Sequence, residues 1–165
     1  MAYNLTKAVA GFLLVAVIWL PASAAEFERY TNARFGVTGL VPKGYIAQTE
    51  SENGDGKAFT SPDGEVSLLI YGSYDALGGI AEYRKFLIDS FSANGDITYK
   101  PVKKNWFVLS GYQGDSIFYL RVEKAKSCDG ADVYAHMVVE YPIAVRANVD
   151  PLLGALGKGL DMAPC

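Results

Sequence analysis

The residues through which this chain could do chemistry are one histidine, two cysteines, a short acidic segment and eleven tyrosines. His136 could serve as a general base or a metal ligand, because imidazole titrates near neutral pH. As the only histidine it has no second imidazole to share a metal with, and the three or four ligands of a zinc site are not assembled. Glu50, Glu52, Asn53 and Asp55 offer oxygen ligands of the kind calcium takes, but they lack the longer alternating set and terminal glutamate of an EF-hand. A solvated loop over Glu50 to Gly56 is the expectation, with weak calcium binding the alternative. Gly54-Asp55-Gly56-Lys57 lacks the first glycine of a phosphate loop, and Ala58 stands where a hydroxyl would hold magnesium. No G-x-S-x-G or H-E-x-x-H motif occurs, so no catalytic residue, metal or cofactor is assigned. Tyrosine buries area while keeping a polar end, so Tyr71, Tyr119 and Tyr134, on the second faces of strands, could form a recognition patch; ordinary packing under a helix is the competing reading.

These side chains need strands to hold them. Trp106 to Lys126 reads as a long β-hairpin, expected mid-sheet: two runs rich in aromatic and β-branched residues flank Tyr112-Gln113-Gly114-Asp115, which supplies a glycine where a left-handed residue is needed. From Asp132 to Tyr141, Val133, Ala135, Met137, Val139 and Tyr141 alternate with Tyr134, His136, Val138 and Glu140, so the first set is the predicted core face and the second the outer one. The outward row Ile117, Tyr119 and Arg121, with Tyr134 and His136 on the next strand, is therefore the expected surface. Tyr119, Arg121, Tyr134 and His136 are the candidate binding residues.

Upstream, Glu26 to Tyr30 and Phe35 to Val41 read as a strand entering the sheet, Tyr45 to Thr49 as a short strand, and Lys57 to Ser61 with Glu65 to Ser73 as a hairpin around Pro62-Asp63-Gly64. Asp96 to Val102 is a further strand. Between Asp75 and Gly95 the period becomes 3.6, with Ile80, Tyr83, Leu87 and Phe91 on one stripe, which predicts an amphipathic helix closed by Asn94-Gly95 in a left-handed cap. A second helical pattern after Pro142 carries Val145, Val149, Leu152, Leu153, Leu156 and Leu160. Asp150-Pro151 either starts that helix or kinks one already running. Short turns between strands predict an α+β fold, a mainly antiparallel sheet of about seven strands with two helices packed on it, one on each side.

The N-terminus has the three parts of a secretory signal: Lys7, an apolar run from Ala8 to Leu20, and Ala22-Ser23-Ala24 as a cleavage site. Thirteen apolar residues are too few to span a bilayer, so residues 1–24 are expected to be removed and 25–165 to form one domain in the periplasm or outside the cell, without a stable membrane anchor. Removing Lys7 and no acid shifts the net charge from −3 to −4, which disfavours nucleic acid as a partner. Cys128 and Cys165 both lie in the exported part, where thiols oxidise in pairs, and a disulfide is the expected outcome. The alternative, a catalytic thiol at Cys128, would need His136 beside it.

The element order, together with Phe35 to Pro42 as F-x-V-x-x-x-V-P, Trp106-Phe107-Val108-Leu109-Ser110-Gly111 and Glu140-Tyr141-Pro142, resembles the PsbP-like fold family over most of the chain beyond residue 24. That family includes photosystem accessory proteins, a Ran-binding import factor and bacterial envelope proteins. The resemblance implies a non-enzymatic binding or accessory module whose partner is an envelope protein or small ligand. It carries over no catalytic motif. The alternatives are a small periplasmic hydrolase using His136, and a carrier of an apolar ligand or lipid with a deep pocket between helix and sheet.

Overall fold

The computed structural model describes residues 25–165, so the signal segment read over residues 1–24 lies outside the described residues. In chain order the elements are β1 (Phe27–Thr31), β2 (Val37–Pro42), β3 (Ile46–Ala47), β4 (Gly56–Thr60), β5 (Ser67–Tyr74), α1 (Ile80–Ser92), β6 (Asp96–Tyr99), β7 (Trp106–Gln113), β8 (Ser116–Lys126), β9 (Asp132–Pro142), α2 (Arg146–Gly159) and β10 (Asp161–Met162). Seven strands form one antiparallel sheet in the order β3-β4-β5-β9-β8-β7-β6. The fold is α+β, as predicted. The centre of the sheet is β9, with the β7–β8 hairpin displaced to one side of it. The predicted entry strand, Glu26 to Tyr30 and Phe35 to Val41, is instead two strands, β1 and β2, which join β10 in a separate three-stranded sheet. Asn32 divides them: it is fully buried, its Oδ1 accepts the Phe35 N–H at 2.8 Å, and its amide donates to the Gly54 carbonyl at 2.7 Å. A local side-chain bond of this kind turns the chain where a continuous strand would run.

The alternation in β8 and β9 buries both of their faces. Phe118, Leu120, Val122 and Tyr134 join Phe107, Leu109 and Leu87 in one core beneath α1. Val133, Ala135, Met137, Val139 and Tyr141 join Leu68, Ile70, Phe59 and Val37 in a second core beneath α2 and the small sheet. Leu87 of α1 is buried, with Ile80, Tyr83 and Phe91 packed beside it, so the period-3.6 stripe is the face that docks. The two helices pack on opposite faces of the sheet. The α1 core draws on β6, β7, β8 and β9, and the α2 core on β4, β5 and β9 with Ile117 of β8. No helix among the described residues is long and apolar enough to cross a membrane.

Local geometry departs from the sequence reading in two places. Helix α1 ends at Ala93 with an ordinary right-handed φ of −68°, and Gly95 does not adopt the predicted left-handed cap. Gly95 answers a packing need instead, since a Cβ there would meet the Tyr112 carbonyl oxygen. Helix α2 is already running at Pro151, which offers no N–H to the carbonyl one turn earlier. The β7–β8 connection agrees with expectation, with Gly114 at φ 57° beside Asp115.

Gly111 sets how closely β6 lies on β7. A Cβ at Gly111 would collide with the Asp96 carbonyl oxygen and stand 2.9 Å from Ile97 Cα, both backbone atoms that cannot swing away. Gly111→Val should therefore lower stability by about 2 kcal/mol and loosen β6. The urea midpoint should fall; an unchanged midpoint would mean that β6 relaxes freely.

Candidate functional site

The sheet register separates the four candidate binding residues. Tyr119 lies opposite Val139 and Arg121 opposite Met137, whereas Lys124 lies opposite Tyr134 and Val122 opposite His136. Directly opposed residues share a face. Tyr119 and Arg121 therefore belong to the α2 side, and Tyr134 and His136 to the α1 side. The single outward row expected from the sequence does not exist.

On the α1 side, His136 and Tyr134 are 0% exposed, so their predicted outer face is core. The Tyr71 ring stacks on the imidazole with centroids 4.1 Å apart, and Tyr83 stacks on Tyr134 at 4.5 Å. Tyr83 Oη and His136 Nε2 share a hydrogen bond of 2.8 Å. Burial dominates the imidazole and pulls its pKa down to about 3, against a smaller opposing effect of the nearby backbone at Tyr71 and Tyr134. The ring is neutral at physiological pH and has no exposed surface from which to meet a substrate, so the hydrolase alternative loses its base. On this face the carrier alternative finds no pocket between helix and sheet, because Phe91 of α1 stacks on Phe118 at 4.6 Å.

On the α2 side the packing stops short. Helix α2 and the small sheet cover β4, β5 and β9, leaving an open cleft of about 370 Å³ where α2 faces β6, β7 and β8. Tyr99, Tyr112, Tyr119 and Tyr141 line it, with Arg146, Asp150 and Leu153 from α2. Tyr99 is 56% exposed, a large apolar ring left in water. Arg146 and Asp150 are one helical turn apart and form an ion pair, Nε to Oδ2 at 2.8 Å. Tyr141 Oη donates to Asp150 Oδ1 at 2.7 Å, and Arg146 Nη1 donates to Tyr112 Oη at 3.3 Å. Burial of Asp150 opposes its ionisation, but hydrogen bonds from Arg146 and Tyr141 outweigh that and hold the carboxyl below its usual range. Burial raises the Tyr119 hydroxyl, partly offset by Arg121, and burial together with Asp150 raises Tyr141, so both remain protonated donors.

Arg121, two residues beyond Tyr119 on the same face of β8, does not line this cleft and is already committed. Its guanidinium lies 4.3 Å over the Trp106 ring, and its Nη2 and Nε meet Glu123 Oε1 at 2.6 and 2.7 Å. Helix α2 passes this stack at Gly157, where a Cβ would stand 3.3 Å from both Tyr119 Oη and Arg121 Cδ.

Of the candidate binding residues, the cleft thus includes Tyr119 alone; Arg121 shares its face of the sheet but lies outside the lining, and Tyr134 and His136 are on the other face. Sequence reasoning missed Tyr99, Tyr112, Tyr141, Arg146 and Asp150. The opposite charges of Arg146 and Asp150 four residues apart were a usable signal. The tyrosines were not distinguishable without the register.

Elsewhere, Cys128 and Cys165 are joined in a disulfide with Cα atoms 5.5 Å apart, which removes the catalytic-thiol alternative. In the acidic loop, Glu50 accepts from Tyr30 at 2.9 Å and faces Lys57 at 3.6 Å, while Asp55 pairs with Arg34 at 2.6 Å. Two of the three carboxylates of this loop, Glu50 and Asp55, are therefore engaged by the protein itself.

No protein-family model and no curated protein matches the chain. Among solved structures it is similar to cyanobacterial PsbP (CyanoP) from Synechocystis sp. PCC 6803, with a TM-score of 0.61 at 11% identity, covering 86% of this chain and 95% of that one. It is also similar to the Ran-binding protein Mog1p of Saccharomyces cerevisiae, with a TM-score of 0.56 at 13% identity over 84% of this chain and 96% of that one. At such identities the likeness is one of architecture, and the chain has the PsbP-like α+β fold that these proteins share.

Proposed function

We propose that this chain is an exported, soluble, non-enzymatic binding module that docks an envelope protein through the tyrosine-lined cleft between α2 and the β6–β7–β8 half of the sheet. The observation that carries this reading is the cleft: tyrosine rings around an open groove are the composition of a recognition surface. The signal-like segment over residues 1–24 and the Cys128–Cys165 disulfide support export to an oxidising compartment. Mog1p, a protein of similar fold, is described as Ran-binding, which is an analogy at the level of fold and supports a protein partner without naming one.

In-cell crosslinking with mass spectrometry tests this reading. The recovered protein should begin at Ala25, and crosslinks from the β6–β7 segment to a partner should rise above background. Tyr119→Ala and Tyr112→Ala together should reduce the partner's recovery about tenfold, the loss expected of two aromatic anchors at an interface. Crosslinks that map only to other surfaces, or no partner at all, would defeat the proposal.

A further inference from the structure

The cleft does not end at Tyr99. Beyond it the loop from β6 to β7 carries Lys100, Lys103 and Lys104, all exposed and none in an ion pair among the described residues. From Ile97 to Gly114 there is no acidic residue, although residues 25–165 carry a net charge of −4. An acid-free strip on an acidic protein is a local reversal of field. The strip is also apolar at its surface, because Val102 is 53% and Tyr99 56% exposed beside the lysines. It lies at the free end of the sheet: β6 is the terminal strand, and no strand pairs with its outer edge.

We infer that the occupant of this site is an acidic, extended segment of the partner protein. Its backbone runs along the outer edge of β6, its carboxylates meet Lys100, Lys103 and Lys104, and its apolar side chains settle against Val102 and Tyr99 toward the cleft. The free strand edge selects an extended chain, since its unpaired N–H and C=O groups are satisfied by another strand. The unpaired lysines select negative charge, and alternation along an extended chain places charged and apolar side chains on opposite sides. The inference rests on the reading of the cleft as a docking site and adds the chemistry of what docks.

The test uses the oxidised protein beginning at Ala25 and a short fluorescein-labelled peptide in which glutamate alternates with valine, followed by fluorescence anisotropy. The control peptide carries glutamine in place of glutamate. The glutamate peptide should bind at least about tenfold more tightly than the control at low salt, with the difference shrinking as ionic strength rises. Lys100→Glu, Lys103→Glu and Lys104→Glu combined should remove that preference, whereas Lys158→Glu on the outer side of α2 should leave it intact. These lysines are exposed, so the variants keep the fold. Equal binding of the two peptides, no binding of either, or a preference that survives the triple reversal would overturn the inference. So would equally tight, lysine-dependent binding of polygalacturonate, since the site would then read charge without a peptide backbone. If crosslinking recovers a partner at the cleft while the glutamate peptide fails, the docking surface stands and only its acidic occupant falls.

Discussion

Acidification from pH 7 to pH 4 should destabilise the folded chain by about 3 kcal/mol through His136 alone. The folded imidazole has a pKa of about 3, depressed by burial, while in the unfolded chain it titrates at about 6.5. Between these values the unfolded state binds a proton that the folded state refuses, so stability falls as pH drops. The contribution is fully present above pH 6.5 and is lost progressively toward pH 3. The carboxyls of Asp75 and Asp150 are also held below their usual range, but their losses begin only as pH falls through the ordinary carboxylate value of 3.8. The two windows can therefore be told apart. Unfolding free energies from urea titrations between pH 7 and pH 4 should decline by about 1.4 kcal/mol per pH unit at the steepest. In His136→Phe the decline should flatten, even though the variant begins less stable by about 1–3 kcal/mol because the Tyr83 hydroxyl loses its partner. A His136→Phe profile parallel to the parent's would show that another group titrates.

Opening the disulfide should have a comparable effect by a different route. Cys128 and Cys165 are 37 positions apart, and closing a loop of that length restricts the unfolded chain by about 4 kcal/mol in the loop-entropy account. In the folded protein the bond fastens the tail that follows α2 to the β8–β9 turn. Along that tail, β10 pairs with β2 through Asp161 opposite Thr38, and the Ala163 N–H donates to the Gly36 carbonyl at 2.6 Å. Replacing both cysteines by serine should lower the stability at neutral pH by roughly that 4 kcal/mol. Adding a thiol reductant to the parent should bring it to the same urea midpoint. If the parent and the double variant unfold together without reductant, the bond contributes nothing and β2 alone retains the tail.

The elements were more legible than their relation to one another. The stripe of Ile80, Tyr83, Leu87 and Phe91 and the alternation in Asp132 to Tyr141 are local patterns, and each appears in the structure as one face of one element. What no single strand records is the phase between strands. Lys126 lies opposite Asp132 across the turn, which puts odd-numbered residues of β8 on the same face as odd-numbered residues of β9. One residue more or fewer in that turn would have joined Tyr119 to Tyr134 and His136, as the sequence reading expected. The burial of His136 was hidden for a related reason. A face carrying tyrosine, histidine and glutamate reads as outward until a helix is placed on it, and only the packing of α1 shows that Tyr71 stacks on the imidazole and Tyr83 hydrogen-bonds its Nε2. The tyrosine cleft was missed because its residues come from β6, β7, β8, β9 and α2, and no window along the chain contains them all.

The placement of the two helices on opposite faces of the sheet also governs how the molecule can come apart. Lifting α1 wets Leu87, Phe107 and Phe118 but leaves the packing of Val149 and Leu156 against the opposite face untouched, and the converse holds for α2. The two halves are separate opening units that share β8 and β9 as a common spine, so a fluctuation that bares one core need not spread to the other. A partner seated in the cleft would restrain α2 while leaving α1 free to open on its own.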